Sequence, residues 1–195
     1  MRQWKEKEEG KGRKGLRLVT QIALIAVTAL FCVNYLGFQV KVEGRSMEPV
    51  VSQDSMVLVN RVSVCFFSPS RFDVIAFWQN DSSKKEKESE TGDTSRIYVK
   101  YVVGLPGETI QIKDGKIWID GTVLNEEQYQ YLDEISVAGL AQEPITLGED
   151  EYFVLGANLS NSEDSRFASI GNVKREDIIG DVWFHYHSFT DMGFI

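Results

Sequence analysis

The chain has only two cysteines and two histidines in 195 residues. Cys32 lies inside an apolar run and Cys65 in the polar body, so a disulfide within one chain is not expected. No cysteine has the close Cys/His company that zinc-site spacing requires, and no metal or other cofactor is called for. No internal repeat is present. The body also lacks a basic surface. Residues 1–35 carry seven Lys/Arg against three Asp/Glu, net +4, which leaves −12 of the total −8 for everything after them. A nucleic-acid partner needs a basic folded part, so that class is excluded. Long apolar runs are missing too, with one exception. Hydrophobic residues at 43% and aromatics at 11% still suffice for a real core.

The exception is residues 18–36, LVTQIALIAVTALFCVNYL, which hold no charge. At about 1.5 Å per helical residue this stretch nearly spans a hydrocarbon core of about 30 Å. No face of it is polar, as a core helix of a soluble domain would require. A cleaved signal peptide would want a shorter apolar core and small residues at a cleavage site, but Tyr35, Leu36 and Phe38 are bulky. An uncleaved single-pass anchor is expected. The basic segment 1–17 places the N-terminus in the cytoplasm and residues 37–195 outside. An external body without disulfides suits a bacterial cell membrane.

The body reads as mostly β, of barrel-like or sandwich type. Strands are expected over 37–42, 55–64, 72–78, 97–103, 151–156 and 178–186. A hairpin is expected over 109–119, turning at Asp114-Gly115. The stretch 81–95, DSSKKEKESETGDTS, is charged and aperiodic and reads as a solvated, disorder-prone loop. Residues 125–142 show no clear period and read as a long loop or short helix.

Two short segments carry the chemistry. Gly44-Arg45-Ser46-Met47-Glu48-Pro49 offers a hydroxyl on a turn, with Gly44 permitting close backbone approach and Pro49 stiffening the exit. Read alone, it is more readily a plain turn between strands. A serine hydroxyl is a poor nucleophile unless a base lies within hydrogen-bond reach. Tyr98-Val99-Lys100-Tyr101-Val102-Val103-Gly104-Leu105-Pro106-Gly107-Glu108 offers one, because a lysine amid apolar strand residues is rarely buried without a role. Alternation puts Tyr98, Lys100 and Val102 on one face. Burial would depress the lysine pKa and supply a base. An edge lysine laying its stem along the sheet is the competing reading.

These two segments resemble signature segments of type I signal peptidases. So do Phe72-Asp73-Val74-Ile75-Ala76-Phe77 and Gly156-Ala157-Asn158, with Ser162, Asp164-Ser165-Arg166 and Gly171 following. The resemblance covers Val42 to about Phe184, behind an anchor as in that family. It implies a mostly β catalytic domain that removes signal peptides from exported preproteins, at the membrane and near the export machinery. It implies Ser46 as nucleophile, Lys100 as general base, Ser162 as a hydroxyl that helps hold the amine, and Asp164 with Arg166 as a supporting ion pair. There are departures. Val50 replaces a frequent threonine, Ala157 removes a carboxylate, and Phe72 stands in place of glycine. Gly44 cannot supply the oxyanion hydroxyl that some members use two residues before the nucleophile, so backbone N–H groups must serve.

Other readings compete. A Ser-His-Asp hydrolase would use His185 or His187, which alternate in a strand-like His-Tyr-His better suited to surface or edge positions. A self-cleaving repressor has a similar Ser-Lys pair, but an anchor replaces the expected DNA-binding helices. A membrane-anchored accessory protein for surface-fibre assembly, with an impaired site, is favoured by Ala157 and opposed by the presence of both Ser46 and Lys100.

Overall fold

A computed structural model describes residues 2–79, 96–125, 135–188 and 190–195. The expected loop at 81–95 lies outside the described residues, as does half of 125–142. Its described end forms a 3-10 turn at Gly139–Gln142.

The chain opens with helix α1 (Arg2–Phe31), which runs on into a π-helical turn at Cys32–Leu36. The span Arg17–Leu36 covers 20 residues at a mean hydropathy of 1.9, with its side chains exposed. Two of its polar side chains bond back to the helix itself, Thr20 Oγ1 donating to the Arg17 carbonyl and Asn34 Nδ2 to that of Leu30. That internal closure is what an apolar solvent demands.

The body is mostly β, as expected. In chain order its elements are β1 (Phe38–Lys41), β2 (Met56–Asn60), the short helix α2 (Ser63–Phe66), β3 (Val74–Trp78) and β4 (Ile97–Gly104). Next come β5 (Thr109–Lys113), β6 (Lys116–Ile119), β7 (Thr122–Val123), β8 (Ile145–Thr146) and β9 (Glu151–Leu155). β10 (Val173–Lys174), β11 (Ile178–Ser188) and β12 (Asp191–Phe194) complete the list. One sheet has the order β1-β2-β11-β3-β4-β9-β10, with β12 beside the second half of β11. A smaller sheet has the order β7-β6-β5-β8. Its first hairpin turns at Asp114 and Gly115, with φ of 53° and 71°, the left-handed pair that a two-residue turn of this hand requires.

The strand expected over 55–64 stops at Asn60. The Asn60 Oδ1 accepts from the Val62 and Ser63 N–H groups and the Ser63 hydroxyl donates to the Asn60 carbonyl. This side-chain turn outcompetes the β ladder and starts α2.

Every step from β1 through β2, β11 and β3 to β4 is antiparallel. β1 and β4 therefore point the same way. Among the described residues no strand pairs with the outer edge of β1. β4 pairs with β9 only from Tyr101 onward, so its Ile97–Lys100 edge on that side is open. The sheet curls and brings these two free edges to opposite sides of one groove. β4 is apolar on both faces because both are covered. Val99, Tyr101 and Val103 enter the larger core, while Val102, with Tyr98 packed near it, joins a second cluster with Ile75, Phe77, Tyr152 and Val154.

Candidate active site

Ser46 sits in the loop 44–55 between β1 and β2. Gly44 opens the loop at φ +90°, a conformation other residues rarely take. Met47 and Val51, both fully buried, pull the loop into the core, and the Val51 N–H donates to the Met47 carbonyl. The loop's neck is closed by Val42 N–H to the Ser55 carbonyl and Asp54 N–H to the Val42 carbonyl. Ser52 Oγ donates to Asp191 Oδ2 of β12 at 2.8 Å. The Asn158 N–H donates to the Ser46 carbonyl at 3.0 Å, so the turn after β9 grips the serine from behind.

Lys100 arrives from β4. Its Nζ lies 2.6 Å from Ser46 Oγ, and the residue is only 2% exposed. The amine stands 5.5 Å from the Tyr98 ring centroid. Burial strips water from the ammonium and lowers the Lys100 pKa to about 8, while the charges of Asp164 and Glu163 pull it partly back. About one amine in ten is thus neutral at pH 7 and able to accept the serine proton, and half at pH 8.

Asp164 and Arg166 are both fully buried and pair with each other. Asp164 Oδ1 accepts from Arg166 Nε at 2.8 Å and Oδ2 from Arg166 Nη2 at 2.9 Å. Oδ2 also accepts from the Gly156 N–H. Arg166 donates onward to the carbonyls of Val137 and Leu159, tying three loops together. Ser162 is buried, and its Oγ has no hydrogen-bond partner among the described residues, Lys100 included. It packs instead against Gly156, where an added Cβ would lie 2.2 Å from that oxygen and 2.5 Å from the Ser46 carbonyl oxygen. Ala157 is fully buried in the main core, so the position that lacks a carboxylate is filled by packing.

Ser46 and Lys100 stand at one end of a groove of about 730 Å³. Gln39 to Gly44 form one wall and Arg96 to Val99 the other, with Arg45, Gln53, Asn161 and Glu163 around the reactive end. Neither histidine lines it. His185 Nδ1 lies 3.9 Å from Asp191 Oδ1, but the serine on that aspartate, Ser52, donates to the acid and not to the imidazole. The nucleophile–base contact of a histidine triad is therefore not made there. Among the described residues no cluster of three or more His, Cys, Asp or Glu could hold a metal.

Three features escaped the sequence reading: the Glu163 charge beside the amine, the Asn158 grip on Ser46, and the tight fit at Gly156. Only the last had a visible signal, a glycine opening the Gly156-Ala157-Asn158 segment.

Fold and site together define a mostly β protein behind one N-terminal apolar helix, with a serine hydroxyl and a buried amine in contact at the end of an open groove. The chain belongs to the signal peptidase family, peptidase S26, whose sequence model matches residues 15–187. It is 32% identical to signal peptidase I of Bacillus caldolyticus, over 97% of this chain and 98% of that one. It is 30% identical to signal peptidase I P of Bacillus subtilis subsp. natto, over 96% and 97%. A crystal structure of a signal peptidase I from Enterococcus faecalis V583 aligns at a TM-score of 0.42 and 29% identity, over 58% of this chain and 96% of that one.

Proposed function

We propose that this protein is a membrane-anchored serine endopeptidase that removes N-terminal signal peptides from exported preproteins, with Ser46 as nucleophile and Lys100 as general base. The observation that carries this reading is the 2.6 Å contact between Ser46 Oγ and a lysine amine buried to 2% exposure.

In this reading neutral Lys100 takes the Ser46 proton as Oγ attacks the scissile carbonyl. The oxyanion falls to backbone donors. The Ser46 N–H, which donates to no described residue, is the first of them. Lys100 then returns the proton to the leaving amine, and the acyl-enzyme forms. A water that gives its proton to Lys100 attacks the ester carbonyl, and Lys100 passes that proton to Ser46 Oγ as it leaves, which frees the acid and restores the neutral amine. Asp164 and Arg166 support the site by fixing the loop that backs Ser46. Ser162, whose buried Oγ has no hydrogen-bond partner among the described residues, is the hydroxyl assigned to steady the amine.

The groove suits an extended chain. Parallel free edges of β1 and β4 leave room for one strand between them, which would gain main-chain hydrogen bonds from both. β1 starts where the apolar helix ends, so a signal peptide rising from the membrane would run along β1 toward Ser46. Sharing one bilayer with the substrate raises its effective concentration. The basic 1–17 segment keeps the N-terminus inside and the body outside, near the export machinery.

The test is turnover of a preprotein by the full chain in detergent or liposomes, with the product's new N-terminus sequenced. One cut at a signal-peptide boundary is expected, and Ser46→Ala and Lys100→Ala should each lose about a thousandfold or more. Intact preprotein with the wild-type chain would instead favour an accessory, non-catalytic role.

A further inference from the structure

The groove has two faces of different make. Val40, Val42 and Val99 belong to the larger core and form one of them, apolar and buried. Gln39, Lys41 and Glu43 on the β1 side, and Tyr98 and Lys100 on β4, alternate with those valines and form the other. A strand laid between β1 and β4 shares both faces, because successive side chains point to opposite sides. At the reactive end the lysine face is already taken by the Lys100 amine, 2.6 Å from Ser46 Oγ. The residue whose carbonyl Ser46 attacks must therefore turn its side chain to the valine face. The residue before it, second from the cut, then points to the lysine face.

Glu163 decides what that second side chain meets. It lines the groove with Tyr98 and Lys100 and is exposed, while its neighbours Ser162 and Asp164 are buried and fix its backbone. Its Oε2 accepts from the Tyr98 hydroxyl at 3.5 Å, which keeps the carboxylate on this face. Its charge acts on the Lys100 amine, so it stands near the reacting atoms. Among the described residues no cation pairs with it. The groove's other cations are committed or distant. Lys41 Nζ pairs with Asp54 at 2.8 Å, and Arg45 Nε leans on Gln53 at 3.4 Å and Glu48 at 3.9 Å. Arg96 comes four residues before Lys100, about 13 Å along a strand. Glu43 on the facing wall adds a second negative charge.

We propose that Glu163 reads the second residue before the cut and favours lysine or arginine there. The valine face and the lysine face then select independently, one by shape and the other by charge. The inference rests on the serine endopeptidase reading above. An exposed ion pair changes a rate only a few-fold, and a like charge costs about as much, so lysine against glutamate at this position should differ by about tenfold.

The test uses three signal-peptide substrates that carry alanine first and third from the cut and lysine, glutamine or glutamate second. The full chain in nonionic detergent is assayed at pH 9, where about nine in ten Lys100 amines are neutral and the comparison does not run through their titration. kcat/KM should fall in the order lysine, glutamine, glutamate. Glu163→Gln should bring lysine and glutamate within about twofold, and Glu163→Lys should reverse them. The wild-type ratio should shrink toward one at about 1 M salt, where the Debye length is about 3 Å. A wild-type ratio within twofold overturns the proposal. So does a ratio that persists in Glu163→Gln, which would move the selection to Glu43, or one indifferent to salt, which would mean shape. Binding of the same peptides to Ser46→Ala, followed by fluorescence anisotropy, separates this inference from the reading beneath it. A wild-type chain that cuts none of them, while Ser46→Ala binds the lysine peptide most tightly, refutes the endopeptidase and supports the charge selection. A chain that cuts all three alike refutes the selection alone.

Discussion

Lys100 should govern both rate and stability through one titration. In the unfolded chain its amine has an ordinary pKa of 10.5, and in the fold about 8. With a pKa of about 8, about one amine in ten is neutral at pH 7, half at pH 8 and nine in ten at pH 9. kcat/KM should therefore rise about tenfold from pH 7 to pH 9 along a single-proton limb centred near 8. A lysine left at 10.5 would still be rising tenfold per unit at pH 9, which separates the cases. Stability moves with the same proton. The folded state holds the proton less tightly than the unfolded state, so folding is penalised wherever the amine is charged in both. The penalty is full below pH 8, is relieved as pH rises from 8 to 10.5, and is gone above that. A gap of about 2.5 units corresponds to about 3 kcal/mol. Lys100→Met keeps most of the buried volume and carries no charge. It should be inactive, more stable than wild type at pH 7, and lose that advantage by about pH 10.5. Lys100→Arg keeps a charge that cannot be given up, and should be both inactive and less stable. The assays are kcat/KM on a fluorogenic signal-peptide substrate and denaturant unfolding across the same pH range. Substantial cleavage by Lys100→Arg with Ser46 still essential, or a limb centred below 7, would refute the assignment of the base.

Removing the Glu163 charge should move the limb further. Glu163→Gln takes away a group that raises the Lys100 pKa, so the limb should shift to lower pH with little change in melting temperature; no shift would mean the carboxylate is screened by water. Asp164→Ala and Arg166→Ala each strand a buried charge, and each should cost roughly 3–5 kcal/mol and lower activity together with Tm. Lost activity at unchanged Tm would place one of the two in the chemistry. Gly156→Ala should cut activity while the body still folds, since its Cβ meets the Ser46 carbonyl oxygen and Ser162 Oγ; wild-type kcat/KM would show that the Ser46 loop has slack. His185→Ala/His187→Ala should retain most activity, and a thousandfold loss with an intact fold would revive the histidine reading.

The parts of this architecture that sequence shows are those with a one-dimensional signature. The apolar span is legible because charge is absent from 18–36. The β5–β6 hairpin is legible because Asp114-Gly115 fits one turn type between alternating isoleucines. β4 is legible as a strand, and Lys100 as anomalous within it, because alternation puts a lysine on the face it shares with Tyr98 and Val102. What sequence hides is pairing across distance. Ser46 and Lys100 touch across 54 residues, and no local pattern encodes that contact. β7, β8 and β10 are two residues long, too short to show a period. α2 was hidden inside a valine-rich run, where an Asn60 turn overrides β propensity.

The proposed role of Lys100 as base sets two needs of the lysine in conflict. A base must be neutral, so it must be kept from water and from carboxylates; yet the loop behind Ser46 is built around a carboxylate. Asp164 lies close enough to raise the Lys100 pKa by its charge. Its oxygens, however, are already spent. Oδ1 accepts from the Arg166 Nε and backbone N–H, and Oδ2 from Arg166 Nη2 and the Gly156 N–H. No hydrogen bond runs from the amine to that acid, and the charge-assisted bond that would lock the ammonium is not made. Burial then outweighs the residual attraction, and the pKa settles near 8 rather than above 10.5. The Asp164–Arg166 pair is thus both a tie between loops and a way of holding a necessary negative charge away from the amine. Among the described residues the amine makes one hydrogen bond, to the hydroxyl of Ser46.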